Sequence, residues 1–176
     1  MEKIKKLTPI ALFVGLLACS VQFLDILFHG IFPPAANLGF SAIVFLAWPT
    51  YFMSGCNIKG GIKSFVAFIV GIVAGIIIFV MGGLFGALGA FASVPAVFIV
   101  AWLLFYYELL PGVFNHLAAC YISCGTFFLF MNYVPGATFV NCLITEMVYL
   151  TLGLIYGWMT IAFRGWVEGK QKSKGA

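Results

Sequence analysis

Stretches of predominantly apolar residues, each about the twenty-residue length a helix needs to cross a ~30 Å hydrocarbon core, recur six times along this chain. They run from Leu7 to Phe28, Leu38 to Cys56, Ser64 to Met81, Gly86 to Tyr107, Leu110 to Met131 and Pro135 to Phe163. With 64% of residues hydrophobic and only 8% charged, against roughly a quarter charged in soluble domains, so much apolar surface cannot be covered in water. The fold class expected is therefore an all-α integral membrane protein of six transmembrane helices.

The breaks between windows carry helix-ending chemistry. "FPPAANLG" (Phe32 to Gly39) cannot sustain a helix, and "GCNIKGGIK" (Gly55 to Lys63) combines glycines with lysines. "MGGLFGALG" is glycine-dense, while "ELLPG" and "NYVPG" place Pro111 and Pro135 where helices are expected to start.

Charge sets the orientation. With the N-terminus inside and six spans, all nine Lys and Arg residues fall on the cytoplasmic face, as retention of basic residues on that side requires; five spans would put the last four outside. Both termini are therefore expected in the cytoplasm. Residues 1–163 form one six-helix transmembrane domain, and residues 164–176, "RGWVEGKQKSKGA", form a short basic cytoplasmic tail. That tail reads as a topology signal at an anionic lipid surface and not as a nucleic-acid site.

"MEKIKKLTPIALFVGLLACS" resembles a lipoprotein signal ending at Cys19. The chain after Cys19 stays apolar, however, and removal of the leader would spoil the charge pattern. The five cysteines lie in or beside apolar spans and suggest buried thiols without a disulfide framework. His116, Cys120 and Cys124 share a helical face, but the first and last stand about 12 Å apart along it at 1.5 Å per residue, too far for one tetrahedral metal site. No metal and no cofactor is expected. Nucleophile motifs and phosphate-binding loops are absent, so enzymatic activity is not expected.

Function in such a chain resides in polar groups inside the spans, because an ionisable group there costs several kcal/mol and faces a bundle interior or a water path. Glu146 is the foremost, expected roughly 16 Å past Pro135 at helical rise. At helical periodicity its face also carries Pro135, Cys142, Tyr149, Gly153, Gly157, Thr160 and Arg164, while Ile144, Val148, Thr151, Ile155, Met159 and Ala162 occupy the opposite, lipid-like face. Gln22, Asp25 and His29 form a polar stripe near the outer end of the first helix, where Asp25 and His29 either pair with each other or line a path toward Glu146 with Tyr149. Asn115 and His116 stand one turn into the fifth span, and Tyr106 and Tyr107 read as interface anchors.

Gly71 and Gly75 in "GIVAG", with Gly153 and Gly157 in "GLIYG", are small-xxx-small pairs that admit a close helix neighbour. If that neighbour is a second copy, the protein is a homo-oligomer.

"YFMSGCNIKGGIKS", "LPGVF" and "LGLIYGW", across Leu38 to Trp158, resemble the small bacterial inner-membrane proteins of the YcdZ-like family, defined by a domain of unknown function. The resemblance implies a bacterial inner-membrane location and supplies no activity. The function expected from the residues is a channel or facilitator for a small polar or weakly acidic solute, with the lipid bilayer, the solute and further copies of the chain as its partners. The alternative is a non-transporting accessory or scaffold protein packed against another membrane protein.

Overall fold

The computed structural model describes residues 2–31 and 39–174, with side chains for 4–31 and 39–171. Pro33 and Pro34, on which the first break rests, lie outside the described residues. Six α-helices follow in chain order: α1 (Glu2–Phe28), α2 (Ser41–Met53), α3 (Ile58–Leu84), α4 (Ser93–Phe105), α5 (Leu117–Tyr133) and α6 (Phe139–Lys174). Short 3-10 turns at Gly86–Phe91 and Tyr106–Leu109 flank α4, and no strand occurs among the described residues. Three helices are long and apolar enough to cross a membrane, in α1 (Ile4–Phe28), α3 (Ile58–Leu84) and α6 (Phe139–Gln171), while α2, α4 and α5 are shorter apolar helices.

Local chemistry sets the ends. Ser54 closes α2, and the chain then reverses through Gly55 and Cys56, both at positive φ. Asn57 starts α3 by accepting the Gly60 N–H at 2.8 Å, a side-chain N-cap. The expectation that Pro111 and Pro135 open helices is corrected. Gly112 and Gly136 take positive φ and hold both prolines in turns, so that α5 begins only at Leu117 and α6 only at Phe139. Ahead of α6, Thr138 and Asn141 cap one another reciprocally, the Thr138 N–H donating to Asn141 Oδ1 at 2.7 Å and the Asn141 N–H to Thr138 Oγ1 at 3.3 Å.

The 36 residues of α6 span about 54 Å at 1.5 Å each. The helix continues through the basic segment after Phe163 instead of ending there. Arg164 pairs with Glu168 at 2.8 Å, Gln171 Nε2 donates to the Lys6 carbonyl, and Phe13 stacks on Phe163 with ring centroids 4.0 Å apart. The last turns of α6 thus rest on the start of α1.

The core is built on two close helix pairs, α2 with α6 and α3 with α5, with α1 laid on α6 and α4 on α3. Glycines make both approaches possible. A Cβ on Gly153 would stand 2.7 Å from the Val44 carbonyl oxygen, and one on Gly157 would stand 2.5 Å from Tyr51 Cβ. A Cβ on Gly75 would reach Phe127 at 2.7 Å, and one on Gly71 would overlap the Cys120 carbonyl and the Ser123 hydroxyl. All four glycines therefore find their neighbour within the chain, and the surfaces that a second copy was expected to use are already filled. Helix α4 buries only Ala96 and Val100, which leaves Phe98 and Trp102 on the outside, next to the exposed Phe91 of the preceding turn.

Candidate functional site

Of the face of α6 expected to point inward, Cys142, Glu146, Tyr149, Gly153, Gly157 and Thr160 are buried, but Pro135 lies in the turn before the helix and Arg164 further along it, both exposed. On the other side Ile144, Ile155 and Ala162 are exposed, while Val148, Thr151 and Met159 are half-buried. The inward set follows from helical periodicity: residues three and four apart align, and the small ones let α2 close over the helix.

Glu146 is completely buried, and neither carboxyl oxygen has a hydrogen-bond partner. Because α6 starts at Phe139, the carboxyl stands seven residues, about 10 Å, into the helix, less deep than the count from Pro135 implies. Its polar neighbours are the Cys124 and Cys142 thiols and the Thr126 hydroxyl, all within electrostatic reach. The Thr126 hydroxyl has the Ile122 and Ser123 carbonyls within 3.1 Å as acceptors for its one proton, and the Glu146 carboxyl lies beside it. Residues from α5 and α6 therefore surround a carboxyl whose oxygens, among the described residues, make no hydrogen bond. Thr126 does not stand out in the sequence, and Cys124 does so only as a metal candidate that its spacing sets aside; their position on the inner face of α5 is what brings them to the carboxyl.

One turn further along α6, Tyr149 donates to Asp25 Oδ1 at 2.8 Å, and the Gly39 N–H donates to Asp25 Oδ2 at 2.9 Å. Asp25, only 1% exposed, is thereby a buried staple joining α1, the entry to α2, and α6. No hydrogen bond or ion pair links it to His29, so the pairing weighed from the sequence is replaced by these partners. Within the stripe, Gln22 and His29 are exposed, and Gln22 accepts from the Ser41 hydroxyl at 3.1 Å.

At the opposite end, Lys63 Nζ donates to Asn115 Oδ1 at 2.9 Å, and His116 stands at the N-cap of α5. His116 Nε2 and the Tyr107 hydroxyl are buried without a hydrogen-bond partner, the latter beside the Cys120 thiol. Tyr107, expected as an interface anchor, is instead 7% exposed, because the Tyr106–Leu109 turn folds it inward. Among the described residues, then, Tyr107, His116 and Glu146 are the side chains with buried, unpartnered polar atoms. They border α5 at His116, Cys120 and Cys124, one helical turn apart.

Five surface grooves formed by described residues are lined by none of Glu146, Asp25, Tyr149, His29, Gln22, Asn115 and His116. A groove of about 240 Å³ between α2 and α5 does reach Thr126, the hydroxyl beside the carboxyl. In chemical terms the site offers an acceptor-rich carboxyl at the end of a short polar column. Among the described residues no cluster of three His, Cys, Asp or Glu side chains is placed to hold a metal.

Residues 11–165 match the model of the family described as "Protein of unknown function (DUF1097)". No curated protein and no solved structure matches the chain.

Proposed function

We propose, from the premise that the chain belongs to the DUF1097 family of proteins of unknown function, that it facilitates passage of a small polar or weakly acidic solute across a bacterial inner membrane. The observation that carries this reading is Glu146, fully buried with both oxygens unpartnered. A buried polar group in a settled core has its hydrogen bonds made, because leaving one unmade costs about 1–3 kcal/mol. A carboxyl left open beside Thr126 fits a ligand-facing group better than a packing element.

Within that reading the chain is a YcdZ-like protein with six spans, and both ends lie in the cytoplasm. The support is the apolar character of all six helices together with the positions of the nine basic residues. Protomers associate through α4, of which only Ala96 and Val100 are buried, since the glycine faces are occupied internally. The second reading, an accessory subunit without transport, draws on that same exposed α4 face with Phe98 and Trp102.

Stopped-flow light scattering on proteoliposomes, challenged in turn with urea, ammonium, formate, acetate and glycerol, tests the proposal. A solute that enters faster than in empty liposomes, with the excess removed by Glu146→Leu, supports it. A panel in which nothing moves faster than in empty liposomes sinks it and favours the accessory subunit.

A further inference from the structure

The contacts of the first three helices repeat in the last three. Gly71 of α3 lies against the Cys120 carbonyl and the Ser123 side chain of α5; Gly153 of α6 lies against the Val44 carbonyl and the Ala47 side chain of α2. Gly75 then meets the Phe127 ring, and Gly157 meets Tyr51. Passing from Gly71 and Gly75 to Gly153 and Gly157 is a shift of 82 residues, and passing from Val44, Ala47 and Tyr51 to Cys120, Ser123 and Phe127 is a shift of 76. The same two shifts hold for every one of these contacts.

Burial obeys them as well. All nine buried positions of α3 fall, 82 residues on, at buried positions of α6. Six of the seven buried positions of α2 fall, 76 residues on, at buried positions of α5; the exception is Ser41, whose counterpart Leu117 is half-buried. Helix pairing follows the same exchange in that α1 packs on α6 as α4 packs on α3, while the pairs α3 with α6 and α2 with α5 map onto themselves. Helical periodicity alone could align two burial patterns, but it does not choose the same partner atoms for both glycine pairs.

We infer that the chain is an inverted repeat of two three-helix halves, α1–α3 and α4–α6, in which Thr50 and Ser64 on the cytoplasmic side are the structural counterparts of Thr126 and Glu146 on the outer side. Inversion follows because each half contains an odd number of spans in the six-span reading, so the second half enters the membrane from the opposite face. Thr50 and Thr126 keep the same residue and the same back-bond, each hydroxyl donating to the carbonyl three residues earlier. The halves differ where Ser64 donates to its own helix at the Gly60 carbonyl and Glu146 donates to nothing.

Repeats of this kind place a solute site where the halves meet, reachable from either side in turn. Thr50 and Ser64, both fully buried, are accordingly the inner half of the path whose outer half is Thr126 and Glu146. This assignment of a path rests on the transport reading; the repeat itself does not.

The test uses single-cysteine variants of the full chain, in a background with all five native cysteines replaced by serine or alanine. Ile58→Cys and Val140→Cys report orientation, both positions being exposed at equivalent points of α3 and α6. Labelling with a membrane-impermeant maleimide, scaled to the total reached after permeabilisation, is expected from the cytoplasmic face only at position 58 and from the outer face only at position 140. Labelling of both from one face overturns the repeat. Ser64→Cys and Glu146→Cys then report the path with a charged methanethiosulfonate, against Val73→Cys and Ile155→Cys as lipid-facing controls. Reaction of position 64 from inside and position 146 from outside, with silent controls, is expected. If positions 58 and 140 label on opposite faces but 64 and 146 do not react, the path assignment falls and the repeat stands; a negative swelling panel with reactive 64 and 146 counts instead against the solute class.

Discussion

Removing the Tyr149 hydroxyl isolates what the buried staple contributes. Asp25 Oδ1 receives its bond from Tyr149 at 2.8 Å, and Oδ2 receives its bond from the Gly39 N–H at 2.9 Å, with the carboxyl almost wholly out of contact with the surroundings. Tyr149→Phe keeps the ring and its edge contacts with Phe28 and Phe40, so the change amounts to one bond. A bond to a carboxylate contributes about 1.5–3 kcal/mol, whereas side-chain bonds between membrane helices average about 0.6 and reach about 1.7 kcal/mol. The range reported for membrane helices is the relevant one, and the short distances and full burial place this bond near its upper end. A loss of about 1.5 kcal/mol is therefore expected for Tyr149→Phe. Asp25→Asn tests the same bond from the other side, and the two changes together should cost less than the sum of the singles, since they remove one shared interaction. Reversible unfolding in mixed micelles titrated with a denaturing detergent measures wild type and all three variants. Additive losses, or a Tyr149→Phe protein as stable as wild type, would refute the staple and return Asp25 to a place on an open path.

Gly153→Ala drives a Cβ to 2.7 Å from the Val44 carbonyl, and backbone cannot yield as a flexible side chain can. A loss of about 1–3 kcal/mol is expected in the same titration, while Gly125→Ala, with open space around it, should be neutral or stabilised by up to about 1 kcal/mol. Asn57→Ala removes the cap on the Gly60 N–H and is expected to cost about 1 kcal/mol, which Asn57→Asp restores; equal unfolding midpoints for all three proteins would remove the cap from the account. Cys142 and Cys124 are buried beside Glu146, so under native conditions a thiol reagent should modify Cys56 first, as mass spectrometry of digests will show.

The sequence alone conveyed the number of helices and the inward face of α6, because twenty-residue apolar windows and a 3.6-residue period are local signals. Helix ends were less legible. Pro111 and Pro135 resemble helix starts, yet the glycines that follow them take positive φ and keep both in turns. The partners of Asp25 lie 14 and 124 residues away, a distance no local pattern conveys, whereas His29, four residues away, looked the natural partner. In the same way the two glycine pairs announced close packing, but only the contacts of Gly71 and Gly153 reveal that both neighbours are inside the chain and equivalent to one another. Tyr107 misled for a related reason: tyrosines near a span end usually reach the interface, and the short turn after α4 rotates this one into the core.

The central claim is that Glu146 is kept for function and not for packing, and the unfolding midpoint of Glu146→Met tests it most directly. Methionine fills a similar volume without polar atoms, so replacing an unpartnered buried carboxyl should remove a desolvation penalty of about 1–3 kcal/mol. A variant more stable than wild type by about that amount is expected. A variant destabilised by several kcal/mol would show that the carboxyl is held by partners that stabilise the fold, and would contradict the account.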